Sequence, residues 1–186
     1  MNGIESLVQE YERTARLPWD KTLAGAQRVW FAIYEPTQER RVRFRLDDFG
    51  VATKGAGHQW IPHDLKNEFA EWMAKHEYRD AYFEQPEDMS LALEDFSQAV
   101  TKQIKEWLTA PNVDDNSVVA IVGLGSLFGL THASTVLNAV TSFIRGRLLV
   151  FFPGHHEGSN YRLLDARDGW NYLAVPITAK KSEVKP

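Results

Sequence analysis

Apolar residues are densest between Ser117 and Gly154, and the rest of the chain can be arranged around that stretch. Its first run, Val118-Val119-Ala120-Ile121-Val122, passes through the glycine turn Gly123-Leu124-Gly125-Ser126-Leu127-Phe128-Gly129 into a helix-like segment. A second run, Leu148-Leu149-Val150-Phe151-Phe152, is closed by Pro153-Gly154. Short β-rich apolar runs bounded by turn residues fit strands covered on both faces, and a helix between two of them makes a parallel β-α-β unit.

Upstream, Ile4, Leu7, Val8 and Tyr11 recur at i, i+3, i+4 and i+7, which predicts a docking helix over residues 1–16 that ends near Leu17-Pro18. Arg28 to Tyr34 reads as the first strand, stopped by Glu35-Pro36. Val42, Leu46 and Phe49 then give one face of a helix that runs to Gly55-Ala56-Gly57. His58 to Pro62 fits a short strand leading into a helix from Asp64 to His76, with Asp64 as its N-cap and Leu65, Phe69, Trp72 and Met73 on its inner face. Glu77 to Asp88 is an aromatic and acidic connector. Leu93, Phe96, Val100, Ile104, Trp107 and Leu108 mark a long amphipathic helix ending near Pro111. After Gly154, Tyr161 to Asp165 and Asn171 to Ile177 flank Ala166-Arg167-Asp168-Gly169 as a terminal strand pair.

Strands alternating with helices predict an α/β fold: a three-layer, mainly parallel sheet with helices on both faces. Ligands of such sheets sit beyond the carboxyl ends of the strands, so Tyr34-Glu35-Pro36, Gly123 to Gly129 and Pro153-Gly154 are expected on one edge. At 186 residues the chain supports a single domain over 1–179, with 180–186 a flexible tail. Its 44% hydrophobic and 12% aromatic content suffices for a full core. A formal charge of -4 gives no global attraction to nucleic acid or anionic membrane. The absence of cysteine excludes disulfides and thiolate metal sites and suits a reducing compartment. The first six residues have no basic or apolar leader character, and no stretch is apolar enough to span a bilayer, so a soluble cytoplasmic protein is expected.

The glycine turn is the first place to look for chemistry. A phosphate-cradling P-loop needs a lysine and a hydroxyl at fixed spacing, and Phe128 and Leu130 stand where its second glycine would be. Gly123, Gly125 and Gly129 space one residue too long for the dinucleotide fingerprint, and no acid closes the strand at Phe152 to hold a ribose. The glycines are better read as allowing a tight turn and close approach of helix to sheet. Ser126 lacks the flanking glycines of a nucleophile elbow because Phe128 breaks the pattern, and it reads as a helix cap. His58 and His63 with Asp64, and His155-His156-Glu157, lack ready metal-ligand spacing. No catalytic residue, metal or cofactor is expected. Arg40, Arg41, Arg43 and Arg45 fit either an anion or acidic-partner patch or a solvated helix face paired with Glu39, Asp47 and Asp48.

Several segments together resemble the BrxB family of the BREX bacteriophage-exclusion defence system: Leu17-Pro18-Trp19-Asp20, Leu23 to Phe31, Gly123 to Gly129, Arg147 to Gly154, Tyr161 to Asp165, and Asp168 to Ile177. His155-His156 stands where a more acidic or polar pair is expected. The resemblance implies membership of an apparatus that methylates host DNA and excludes phage. That apparatus contains an alkaline-phosphatase-like protein (PglZ), an adenine-specific DNA methyltransferase (PglX) and a large ATPase (BrxC). The family carries no established catalytic residues. The implied role is a non-enzymatic assembly subunit that contacts other BREX proteins, above all the PglZ-like component. The resemblance also suggests a degenerate P-loop-like scaffold, acidic at Glu35 to Glu39 where a phosphate would need amides and a lysine.

Aromatics and arginines are frequent in interface hot spots, so Trp19, Tyr78, Tyr82, Phe83 and the arginines at 40, 41, 43 and 45 are candidate partner contacts, while Trp30 and Trp72 are read as core. Two alternatives stay open. One is a nucleotide-binding or hydrolysing enzyme using Gly123, Gly125, Ser126 and Gly129; the other is a DNA-binding accessory protein using the Arg40 to Arg45 helix.

Overall fold

A computed structural model describes residues 3–166 and 169–180. Seven strands form one mixed sheet. β1 (Val29–Tyr34), β2 (Gln59–Asp64), β3 (Ser117–Val122), β4 (Arg147–Glu157) and β7 (Val175–Thr178) lie parallel in the order β2-β3-β4-β1-β7. β5 (Asn160–Leu163) pairs antiparallel with the outer end of β4, and β6 (Trp170–Asn171) antiparallel with β5. This antiparallel appendage turns the expected mainly parallel sheet into a mixed one.

Every residue of β1 and β3 is buried, because alternate side chains enter two separate cores. Val29, Phe31 and Ile33 face one core with Val119, Ile121, Leu148, Val150 and Phe152. It is covered by α6 (Ala92–Thr109) and α7 (Ala133–Val140) through Phe96, Val100, Ile104, Val136 and Val140. Trp30, Ala32 and Tyr34 face the other core with Val118, Ala120, Leu149 and Phe151. That side is covered by α1 (Gly3–Ala15) through Ile4, Leu7 and Tyr11 and by α3 (Leu46–Gly55) through Phe49. The Tyr11 hydroxyl lies 2.5 Å from Thr53 Oγ1 and ties α1 to α3 inside this core. Each outer strand of the parallel run carries a proline, Pro62 in β2 and Pro176 in β7, which blunts a sheet edge by removing an amide donor.

Several expected boundaries move. The arginine helix breaks at Arg45 into α2 (Glu39–Phe44) and α3. β2 runs on to Asp64, so the next helix, α4 (Glu68–Ala74), starts later, and Asp64 is not its N-cap. The acidic connector contains a short helix, α5 (Arg79–Glu84). β4 does not stop at Pro153-Gly154 but continues to Glu157, because β5 supplies it with a new antiparallel partner. The C-terminal strand pair is reduced to β5 with the two residues of β6. The chain then crosses to pair β7 with β1, where Ile177 fills the core under α1. Arg167 and Asp168, in the turn of that expected pair, lie outside the described residues. At the start of the expected tail, the Lys180 amide donates to Ser6 Oγ at 3.0 Å; residues 181–186 lie outside the described residues.

Candidate functional site

The carboxyl ends of β1, β2, β3 and β4 meet on one edge, as the register pairs Tyr34 with Pro153 and Asp64 with Val122. From β1 the chain leaves toward α2 and α3 on one face, whereas from β3 it leaves toward α7 on the other. Such a divergence opens a crevice where ligands of open α/β sheets bind. Here it is a cavity of about 270 Å³ lined by Pro36, Glu39, Arg43, Gly123, Gly125, Ser126, Pro153 and Leu164. The strand-edge gathering expected from the turns is therefore present. Three of the four ligand-turn candidates, Gly123, Gly125 and Ser126, line this cavity. Gly129 instead borders a separate one beside His132 and Trp170.

An ionic chain runs along one side of the crevice. Tyr34, at the end of β1, donates its hydroxyl proton to Glu39 on α2. Arg43, one helical turn after Glu39, holds that carboxylate through Nε at 2.8 Å. Its two terminal nitrogens reach Asp64 at the end of β2, at 2.5 and 3.2 Å. The Lys66 amide donates to the same carboxylate at 2.9 Å. Burial alone would raise the Asp64 pKa, but the Arg43 hydrogen bonds, the Lys66 amide and the Arg43 charge outweigh it and hold the group below the usual carboxylate range. Hydrogen bonding to Asp64 raises Arg43 further above its ordinary value, against the opposing effect of burial. Burial, then the hydrogen bond to Glu39, pushes the Tyr34 phenol far above its usual range, so it stays a donor.

Gly123 sits directly on this ion pair. Its φ of +84° is left-handed, and a Cβ there would stand 2.7 Å from Asp64 Oδ1 and 2.9 Å from Arg43 Nη2. Ser126 Oγ is shared between the Gly123 carbonyl at 2.7 Å and the Leu65 carbonyl at 3.0 Å. The Ser126 and Phe128 amides turn inward to the carbonyls of Gly123 and Gly125 at 3.0 and 3.1 Å. A phosphate-binding turn presents its amides outward and places cations beside them. In this turn the Ser126 and Phe128 amides are used within the loop, and the Arg43 guanidinium at the crevice already faces two carboxylates. The arrangement is an ionic clasp that ties the ends of β1, β2 and β3 together.

The four arginines do not form one patch. Arg43 belongs to the clasp, and Arg45 turns to Asp48 and, at 3.4 Å, to Glu5. Arg40 and Arg41 are exposed beside Phe44 along a shallow cavity of about 630 Å³ that also meets Ile4 and Thr37. Trp19 is drawn into the fold: it stacks on His58 with ring centroids 3.8 Å apart, meets Trp30 edge-on, and carries the buried Arg147 guanidinium 4.8 Å from its ring. Trp30 is buried and Trp72 half-buried. Tyr78 and Phe83 stand in solvent, with Tyr82 half-buried between them and the core side.

Of the histidines considered for metals, His58, His63 and His156 stack on aromatic rings. His58 also bonds Asn116 at 2.6 Å and the Ala15 carbonyl, and His63 stacks on Trp107 at 4.2 Å. His155 lies 3.7 Å from Glu35, and His156 stacks on Tyr161. Among the described residues no three acidic, histidine or cysteine side chains converge as a metal site. The pairing of the arginine helix with Glu39 was expected and is present at Arg43, whereas Asp64, read as a helix cap, joins the same guanidinium instead. The available signals were the i, i+4 spacing of Glu39 and Arg43 and an aspartate closing a strand at the ligand edge. Among the described residues no helix is long and apolar enough to cross a membrane.

No curated protein and no solved structure is significantly similar to the chain. A family profile described as BREX protein BrxB matches residues 64–177, a span that includes Asp64, the glycine turn, β3, β4 and the antiparallel appendage. The match covers more than half of the chain, which therefore belongs to the BrxB family and through it to BREX defence.

Proposed function

We propose that this protein is a non-catalytic interaction subunit of a BREX phage-defence complex, one that methylates host DNA and excludes phage, with the PglZ-like alkaline-phosphatase-family component as its foremost partner. The observation that carries the reading is the clasp: Glu39, Arg43 and Asp64 satisfy one another beside the crevice where an α/β enzyme would keep its substrate. Exposed apolar groups lie elsewhere, at Phe44, Phe83 and Leu91. Exposed aromatic groups of this kind anchor protein interfaces. Size-exclusion chromatography of the purified protein with each BREX component in turn tests it. Co-elution with the PglZ-like component is expected, and elution apart from every component overturns the reading. Calorimetry with ATP, GTP and NAD addresses the enzymatic alternative; heat and thermal stabilisation with any of them would favour it.

A second reading has its own support in the exposed Arg40 and Arg41 beside Phe44. It makes this face a contact for DNA or an acidic partner, with affinity that falls steeply as salt rises. A duplex shift that ignores salt, or survives Arg40→Glu/Arg41→Glu, removes it. Descent from a P-loop-like scaffold is a proposal of the same rank. It is supported by parallel strands whose first member lies inside the sheet and opens at its carboxyl end into a helix, with Glu35-Pro36 in the place of a phosphate loop.

A further inference from the structure

The connection from α4 to α6 projects from the fold. From Glu77 to Leu91 every residue but Tyr82 and Met89 is exposed, with Tyr78, Phe83 and Leu91 at 58, 68 and 87%. Large apolar side chains gain from burial, so a surface that holds several in water is suited to a partner. Tyr78 stands on a firm base. Trp72 packs on Phe96 of the core at 5.4 Å, His76 on Trp72 at 4.9 Å, Tyr82 on His76 at 5.1 Å, and Tyr78 lies 6.4 Å from Tyr82. This ladder of rings fixes the outer tyrosine relative to the sheet, and a preorganised aromatic surrenders little freedom on binding.

The arm from Glu77 to Leu91 is acidic overall. It carries five acids, Glu77, Asp80, Glu84, Glu87 and Asp88, and its one cation, Arg79, is turned onto Asp80 at 3.1 Å and the Ala74 carbonyl at 3.2 Å. Glu77, Glu84, Glu87 and Asp88 have no ion pair among the described residues. Tyrosine faces rimmed by carboxylates favour guanidinium and ammonium groups, by cation–π attraction and charge-assisted hydrogen bonds. The same carboxylates repel phosphates, which disfavours nucleic acid on this face.

Resting on the interaction-subunit reading and deepening it, the geometry points to the α5 arm as the docking surface for a cationic protein segment. Its arginines or lysines would meet Tyr78 and the acids, and its aliphatic side chains would cover Phe83 and Leu91. The arm lies within the family-matched span, 64–177, whereas Arg40 to Arg45 lies outside it. The surface is thus opposite in charge and separate in sequence from the arginine face.

The test uses a fluorescently labelled synthetic peptide of alternating arginine and leucine, read by anisotropy against the full chain. Controls are a peptide with glutamate in place of arginine and a labelled DNA duplex. Two variants remove different parts of the arm: Glu84→Gln/Glu87→Gln/Asp88→Asn and Tyr78→Ala/Phe83→Ser. All five positions are exposed, so unchanged melting curves are expected. Saturable binding of the arginine peptide, weakened about tenfold or more by each variant and by added salt, supports the arm. Equal binding by the variants, no saturable binding, or displacement of the peptide by duplex overturns it. Self-association abolished by Phe83→Ser in light scattering also overturns it, because the occupant is then a second copy. The same variants belong in the chromatography with BREX components. A component retained equally by wild type and variants refutes the arm and leaves the subunit reading intact. Peptide binding confined to the arm, with no component retained, does the reverse.

Discussion

Replacing Gly123 with alanine tests the ionic clasp beside the crevice. Two separable effects follow from the structure. A residue other than glycine at φ +84° costs about 1–2 kcal/mol in backbone strain. The new Cβ would also meet Asp64 Oδ1 at 2.7 Å and Arg43 Nη2 at 2.9 Å, so the bidentate pair must open. Both partners are partly exposed, with side chains 28% and 30% accessible, so solvent screening limits that loss to about 1 kcal/mol. The sum is about 2–3 kcal/mol, or roughly 4–12 °C in melting temperature for a domain of this size. Urea denaturation of Gly123→Ala in the wild-type and Asp64→Ala backgrounds separates the two effects. Once the carboxylate is gone, no ion pair is left for the alanine to open, so the cycle should show about 1 kcal/mol of coupling. A loss below about 1 kcal/mol in the wild type, or the same loss in both backgrounds, would refute the argument.

Other outcomes follow from groups held away from their ordinary titration. Asp64 is depressed, so its contribution is present above the usual carboxylate range and disappears as pH falls through its lower folded value; Asp64→Asn should flatten the acid limb of stability below about pH 4, and an unchanged limb counts against the clasp. Tyr11 and Tyr34 are both raised chiefly by burial, so their contribution is complete below about pH 10 and is lost above it. Ultraviolet titration should show part of the phenol signal ionising only together with unfolding, and one wave near pH 10 in a still-folded protein would contradict this. Arg147 is buried beneath Trp19 and Trp30 and donates to the Asp20 carbonyl at 3.1 Å. Arg147→Met should destabilise by about 1–3 kcal/mol in urea and change tryptophan emission, and a neutral or stabilising result would show that an apolar chain serves as well.

What was legible in the chain was what local periodicity controls. The stripe of Ile4, Leu7, Val8 and Tyr11, the runs at 29–34, 118–122 and 148–152, and the face of Phe96, Val100 and Ile104 each mark an element. The reason is that a residue buried on a known period has few alternatives. The gathering of Pro36, Gly123 and Pro153 on one edge followed from the direction of parallel strands. Locally ambiguous residues were decided by partners far along the chain. Asp64 reads as a helix cap until β2 runs on through it and Arg43, on a helix before β2, takes its carboxylate. Pro153-Gly154 looks like a stop until β5 offers a partner, and Val175 to Thr178 looks like part of a hairpin until the open side of β1 accepts it.

The apolar stretch from Ser117 to Gly154 illustrates both halves. Its sequence alone set two buried strands and a turn that cannot supply the lysine of a phosphate loop, because those properties reside in residue type and spacing. Only the tertiary structure decided that Gly123 must lack a side chain. The need arises from Asp64 and Arg43, which approach from other elements to within a methyl group's reach and so exist as neighbours only in the folded chain.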